Sequence, residues 1–264
     1  MSIKIISFNI ACWDGEDGHS RVERAPRIID VIKKRDPDII GFQEFTPRWH
    51  ELLGEFIDEN GYEFFNMYRA ESNKEGTPML WKKDKFECLD KGYFWLSDTP
   101  EVESKGWDEY DCHRICLWAK LKDKETGNVF VYANTHLGFG DKCHTDSVKL
   151  ILSRINAHGT DAVFVTGDFN FWHDTPGYLE MTKEFVDVTA ATTGEKTATC
   201  HGFNPLNALS NPEASVDVWF GVHIDFCFIN PKGVTPIIGK VLREDYDGKF
   251  PSDHNAVYFE LDIK

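Results

Sequence analysis

The stretch Ala162-Val163-Phe164-Val165-Thr166-Gly167-Asp168-Phe169-Asn170 decides how this chain is read. Ala162 to Val165 is a short unbroken apolar run, which predicts a strand buried on both faces. Where the run stops, the chain delivers a carboxylate and an amide, Asp168 and Asn170, in good turn chemistry. The same grammar recurs along the chain. The strand Ile3 to Phe8 releases Asn9, and Ile39-Ile40-Gly41-Phe42 releases Gln43-Glu44. Val129 to Ala133 releases Asn134-Thr135-His136, Asp225 lies within the strand Ile224 to Ile229, and Ser252-Asp253-His254 immediately precedes the strand Ala256 to Leu261.

Between these strands lie helical periods. Arg21 to Lys34 places Val22, Ala25, Ile28, Ile29 and Ile32 on one face, and Trp49, Leu52, Leu53, Phe56 and Ile57 mark a second helix. Asp146 to Ala157 and Thr175 to Lys183 read as further helices. Leu117–Leu121 and Val129–Ala133 read as a hairpin around Thr126-Gly127-Asn128. Residues 190–220 read as irregular. No Ser/Gly linker, sharp composition change or short repeat divides the chain, so 1–264 is expected to be one domain. The two halves share a strand–helix–strand rhythm, which predicts an α/β sandwich of two packed mixed sheets flanked by helices, four layers in all.

The composition narrows the function. Of 264 residues, 29 are Lys or Arg and 44 are Asp or Glu, a formal charge of −15. That field repels polyanions, so an extended nucleic-acid duplex is a disfavoured partner. It does not exclude a cation that reverses the field at one site. No run of about 18 apolar residues is present, so no membrane span is expected. Nothing at the start reads as a signal peptide, and the 7 scattered Cys read as reduced thiols. Cytoplasmic location and a monomeric state are the expectations. Structural zinc at Cys112 and Cys116 is disfavoured, because no second pair follows at the right spacing.

Taken together, Asn9, Gln43-Glu44, Asn134-Thr135-His136, Gly167-Asp168-Phe169-Asn170, Ile224-Asp225-Phe226 and Ser252-Asp253-His254 occur in the order and rough spacing of the endonuclease/exonuclease/phosphatase superfamily. The chain resembles that DNase I-like superfamily over almost its whole length. Each motif alone is weak, and the ordered set carries the resemblance. Phe94-Trp95-Leu96-Ser97, Gly106-Trp107-Asp108, the run from Arg114 to Ala119 and Thr199-Cys200-His201-Gly202-Phe203 also look like a bacterial branch of metal-dependent hydrolases distantly similar to deadenylases. Cys200 stands where that branch usually has an aromatic residue, and the loop Ala11 to Asp17 differs from its usual run.

The resemblance implies a Mg²⁺-dependent phosphoester hydrolase, with Mn²⁺ as a substitute metal, acting on a small or medium organic phosphate as a phosphodiesterase or phosphatase. Glu44, with Asn9 and Asp253 in or near its shell, is the expected metal set, since hard oxygen ligands suit Mg²⁺. Asp168 is the expected general base, with a metal-ligand role also open. Asn170 would position water or a phosphate oxygen. Asp225 would hold one ring nitrogen of His254 while the other faces phosphate, and His136 would donate to another phosphate oxygen. Arg114, His201, Asn134, Trp107 and Phe203 complete the candidate substrate contacts, with an exposed ion pair the plainer reading of Arg114 and core packing that of the aromatics. Two other functions remain open: a nuclease for single-stranded DNA or RNA, and a catalytically silent binding module. Specificity is assigned to the loops 11–20, 96–114, 138–146 and 190–222.

Overall fold

The computed structural model describes residues 2–208 and 220–264. Its first half runs β1 (Ser2–Asn9), α1 (Arg21–Arg35), β2 (Ile39–Gln43), α2 (Pro47–Glu59), β3 (Tyr62–Phe65) and β4 (Met79–Lys82). Then follow β5 (Phe86–Trp95), β6 (Ile115–Asp123), β7 (Val129–His136), α3 (Asp141–Ile155), β8 (Val163–Asp168), α4 (Pro176–Met181), β9 (Val186–Asp187), α5 (Val188–Ala191) and α6 (Pro205–Ala208). The chain closes with β10 (Asp225–Ile229), β11 (Val234–Leu242) and β12 (Ala256–Ile263). The strands form two six-stranded mixed sheets, ordered β11-β12-β1-β2-β4-β3 and β5-β6-β7-β8-β10-β9.

Strand alternation explains the layers. In β1, Ile3 and Ile5 face the core between the sheets, where they join Trp81, Phe130, Phe164 and Phe259. Ile6 and Phe8 point the other way, onto Ile28 and Ile32 of α1 and Trp49 and Leu53 of α2. Behind the second sheet, Val131, Val163 and Phe228 pack against Val148 and Ile151 of α3 and Met181 of α4. Three apolar cores therefore separate four layers, as the buried apolar runs predict. The predicted hairpin is present, with β6 antiparallel to β7 and Gly127 at φ 78° in its turn.

Helix ends depart from the sequence reading where the capping signal is weak. At α1, Ser20 accepts from the Glu23 N–H while the Glu23 carboxylate accepts from the Ser20 N–H at 3.2 Å, a reciprocal cap that marks the start. By contrast, α3 begins at Asp141, ahead of the predicted Asp146, because Gly140 at φ 96° starts it with no side-chain cap. The short α6 and the end of α5 fall within the stretch expected to be irregular, and residues 209–219 of that stretch lie outside the described residues. All seven cysteines are free thiols.

One buried amide network ties the sheets face to face below the strand ends. Asn134, buried on β7, donates through Nδ2 to the Phe42, Thr77 and Pro78 carbonyls at 2.8, 3.2 and 3.1 Å. Its Oδ1 accepts from Gln43 Nε2 at 2.9 Å and Thr166 Oγ1 at 3.1 Å. Gly41 makes this approach feasible, since a Cβ there would sit 2.6 Å from Asn134 Oδ1. Asn134 is thus a cross-sheet tie, and the expectation that it touches substrate is corrected: its amide is fully engaged with backbone and neighbouring side chains.

Candidate active site

Register builds the centre of the site. Asp168 on β8 pairs with His136 on parallel β7 and with Asp225 on antiparallel β10. Side chains of paired residues share a face, so the imidazole and the second carboxylate flank Asp168. His254 enters from the segment before β12, which is stitched down by the His201 N–H on the Asp253 carbonyl at 2.8 Å and the Asn255 N–H on the Thr199 carbonyl at 2.7 Å. One ligand atom from each of Asp168, Asp225 and His254 lies within 4.8 Å of the others.

The hydrogen bonds give each group a state. His254 Nδ1 lies 2.9 Å from Asp225 Oδ2, leaving Nε2 3.8 Å from Asp168 Oδ2. Burial opposes a charged ring there, but Cys200 and Asp225 against it outweigh burial and raise the His254 pKa well above its ordinary value. His136, with Nε2 3.6 Å from the same oxygen, is held neutral, because burial and the nearby Arg114 and Arg69 push its pKa well down. Burial and the Asp225 charge push Asp168 up to about 7, against the pull of His254, the Asn9 amide and the Asn170 N–H. A carboxylate poised near neutrality is what a general base needs.

Asn9 Nδ2 donates to Asp168 Oδ2 at 2.9 Å and to Glu44 Oε1 at 3.1 Å. Its Oδ1 accepts from the Ala11 N–H at 3.0 Å. Asn9 therefore aims the two carboxylates, and its amide stands directly beside Glu44. Glu44 Oε2 also accepts from the Cys12 N–H at 2.8 Å. Burial works against its charge, yet that N–H, His254 and Asn9 more than offset it and hold its pKa below the usual range. Glu44 sits at φ 58°, as Ala11 sits at φ 51°. Residues of these types seldom adopt such backbone, and it costs of order 1–3 kcal/mol each. Arg24 secures that loop: it is buried and donates to the carbonyls of Ile10, Ala11, Trp13 and His19 at 2.6–3.0 Å.

A cavity of about 380 Å³ opens over these groups, with Glu44, Asp168, Asn170, Asp253 and His254 in its lining. Burial and Glu44 raise the Asp253 pKa, and His254 and Arg24 pull against that. Arg69, Glu75 and Arg114 also line it. Arg114 Nε donates to Asp108 Oδ2 at 3.0 Å while its Nη1 is buried without a partner, so the exposed-ion-pair reading of Arg114 is corrected. Glu75 pairs with Arg69 at 2.8 Å and stands 3.8 Å from His136 Nδ1. Glu75 carries no motif, and its place depends on the Phe45–Gly76 bridge, a long-range contact without a sequence signature.

Three further candidates lie away from this cavity. His201 is fully buried with its ring 5.0 Å from Phe250, and burial drives its pKa to about 3, so it is a core histidine. Phe203 packs on Trp13 and His19, with ring centroids 5.3 and 4.4 Å apart, and buttresses the first loop. Trp107 lies under Lys142 Nζ at 5.2 Å. None of the three is part of the lining of that cavity.

A two-sheet sandwich whose converging strand ends bring together a poised carboxylate, two histidines and an unpartnered Asp225 oxygen has the parts of a hydrolytic centre. The sequence profile of the Endonuclease/Exonuclease/phosphatase family matches residues 7–254, and the chain belongs to that family. A family protein from Bacteroides vulgatus shares 28% identity and a TM-score of 0.86, with all of each chain covered. A Bacteroides thetaiotaomicron mannosyl-6-phosphatase shares 28% identity and a TM-score of 0.83, over 99% of this chain and 100% of that one. The human Nocturnin catalytic domain, at 15% identity and a TM-score of 0.70 over 100% of this chain and 95% of that one, shares the fold. The family is metal-dependent, and the carboxylate oxygens here fit a small hard cation. No helix among the described residues is long and apolar enough to cross a membrane.

Proposed function

We propose that this chain, acting as one domain, is a Mg²⁺-dependent phosphatase for phosphomonoesters of compact organic alcohols. The observation that carries the reading is Asp168 Oδ2, which holds the Asn9 amide at 2.9 Å and faces His136 and His254 at 3.6 and 3.8 Å. Glu44 and Asp253 would hold the cation, since both line the cavity and offer hard oxygen ligands. Bound there, Mg²⁺ would draw charge from the phosphoryl oxygens and the leaving oxygen. Asp168 accepts the proton of the attacking water. Asn170, whose Nδ2 is anchored on the Leu137 carbonyl at 2.9 Å, keeps that water in line. His254, oriented by Asp225, donates from Nε2 to a phosphoryl oxygen, and neutral His136 donates to another.

A nuclease is less well supported. Of the two arginines of the cavity wall, Arg69 is paired with Glu75 and Arg114 with Asp108, and the free Arg114 Nη1 offers a contact to one phosphate rather than a basic track for a polyanion. The 28%-identical mannosyl-6-phosphatase favours a monoester. A Mg²⁺-supplemented screen of phosphomonoesters, phosphodiesters and oligonucleotides tests the reading. Turnover of a monoester that falls at least ~10²-fold in Asp168→Ala and in His254→Ala is the expected result. Wild-type turnover in either variant, or salt-sensitive cleavage of the oligonucleotide alone, would overturn it.

A further inference from the structure

A second cleft, of about 440 Å³, adjoins the catalytic cavity and shares Phe139, Asn170 and Ile224 with it. Tyr110 and Trp172 line it and are 63% and 52% exposed, aromatic surface that packing inside the chain leaves uncovered. Tyr110 stands edge-on to Phe139, with centroids 5.2 Å apart. The Glu109 N–H donates to the Phe139 carbonyl at 3.2 Å and ties the two loops that form this wall. The charged groups in the lining are the carboxylates of Glu109 and Asp141, with His144 fixed on the Gly138 carbonyl at 2.9 Å and no Lys or Arg.

From this geometry we infer that the second cleft is the leaving-group subsite and that it takes an uncharged polyhydroxylated ring. The inference rests on the phosphatase reading and names its substrate class. The two clefts meet at Phe139 and Ile224 as well as at Asn170, so an alcohol leaving from the side of phosphorus opposite the water held by Asp168 and Asn170 would extend past Phe139 and Ile224 into the second cleft. A sugar ring satisfies both halves of the lining: its C–H faces lie on Tyr110 and Trp172, and its hydroxyls donate to Glu109 and Asp141. An aryl group would use the rings but bring no hydroxyl donor to the two exposed carboxylates. A second phosphate would meet those carboxylates as like charges.

The test compares hexose 6-phosphate, hexose 1,6-bisphosphate, phenyl phosphate and ethyl phosphate with Mg²⁺. Trp172→Ala should raise KM for hexose 6-phosphate about tenfold and that for ethyl phosphate less than about twofold. The pair Glu109→Gln with Asp141→Asn should raise kcat/KM for the bisphosphate at least about fivefold. Equal KM changes for hexose and ethyl substrates, or a wild-type preference for phenyl phosphate, would overturn the subsite. If no phosphomonoester is turned over, the phosphatase reading fails and the subsite is read by binding alone. Free hexose should then quench tryptophan fluorescence in the wild type and not in Trp172→Ala, and absence of that difference would overturn it.

Discussion

Two polar clusters occupy the space between the sheets, a few residues apart on the same strands, and they behave oppositely. In the lower one, Asn134, Gln43, Thr166 and Tyr132 are neutral, and Asn134 spends both ends of its amide on five partners. In the upper one, Asn9, Glu44, Asp168, Asp225 and His254 are ionisable or hold ionisable groups, and three of the pKa values are displaced in different directions. Residue type separates the two clusters more than depth does, since both are buried. A closed amide network stabilises the approach of the sheets, whereas charges left partly uncompensated at the open end are available for chemistry.

Substitutions that confuse the two clusters would break this comparison. The largest effect is expected in the upper one. Asp168→Asn should keep the fold and lower kcat by about 10²–10⁴-fold, the range for loss of a general base, in a steady-state assay on the best monoester. Asn134→Ala should do the reverse. It removes five hydrogen bonds between buried groups, although Gln43 Nε2 keeps Ser7 Oγ at 3.2 Å and the Pro78 carbonyl keeps the Phe42 N–H at 3.1 Å, so stability should fall by about 2–3 kcal/mol, with roughly 4–12 °C lost from the melting temperature. Its kcat should stay within about threefold, and a loss like that of Asp168→Asn would show that the lower cluster takes part in the chemistry.

His201 sharpens the comparison through pH. Its folded pKa of about 3 lies below the ordinary 6.5, so on acidification the unfolded chain takes up the proton first. The stability it contributes is full above pH 6.5 and is lost as pH falls towards 3. Below pH 6.5, His201→Phe should flatten the fall of unfolding free energy by about 1.4 kcal/mol per pH unit in urea titrations. An unchanged slope would mean that the ring is not the neutral core group its surroundings imply.

The layers and most of the strands were legible because their signals are local. Ile3, Ile5, Ile6 and Phe8 alternate between two cores, and Ser20 with Glu23 announces α1. The start of α3 was not legible, because Gly140 offers no side-chain cap to read. In the site, the ordered motifs single out Glu44, Asp168, Asp225, Asp253 and His254, and the fold brings these side chains together. Asn134 belonged to the same set of motifs and proved to be a tie between sheets. Glu75 and Arg24 could not be found, since each acts through contacts set by the path of a loop.

By itself, the sequence determined which residues stand where the apolar runs stop, because period-two burial and turn chemistry are properties of neighbouring residues. Only the tertiary structure decided that Asp168 lies between His136 and Asp225, that Asn9 aims Glu44 and Asp168, and that Phe139 joins two clefts. Those facts depend on strand order and register between segments up to 159 residues apart, and such pairings leave no mark in the local pattern of either segment.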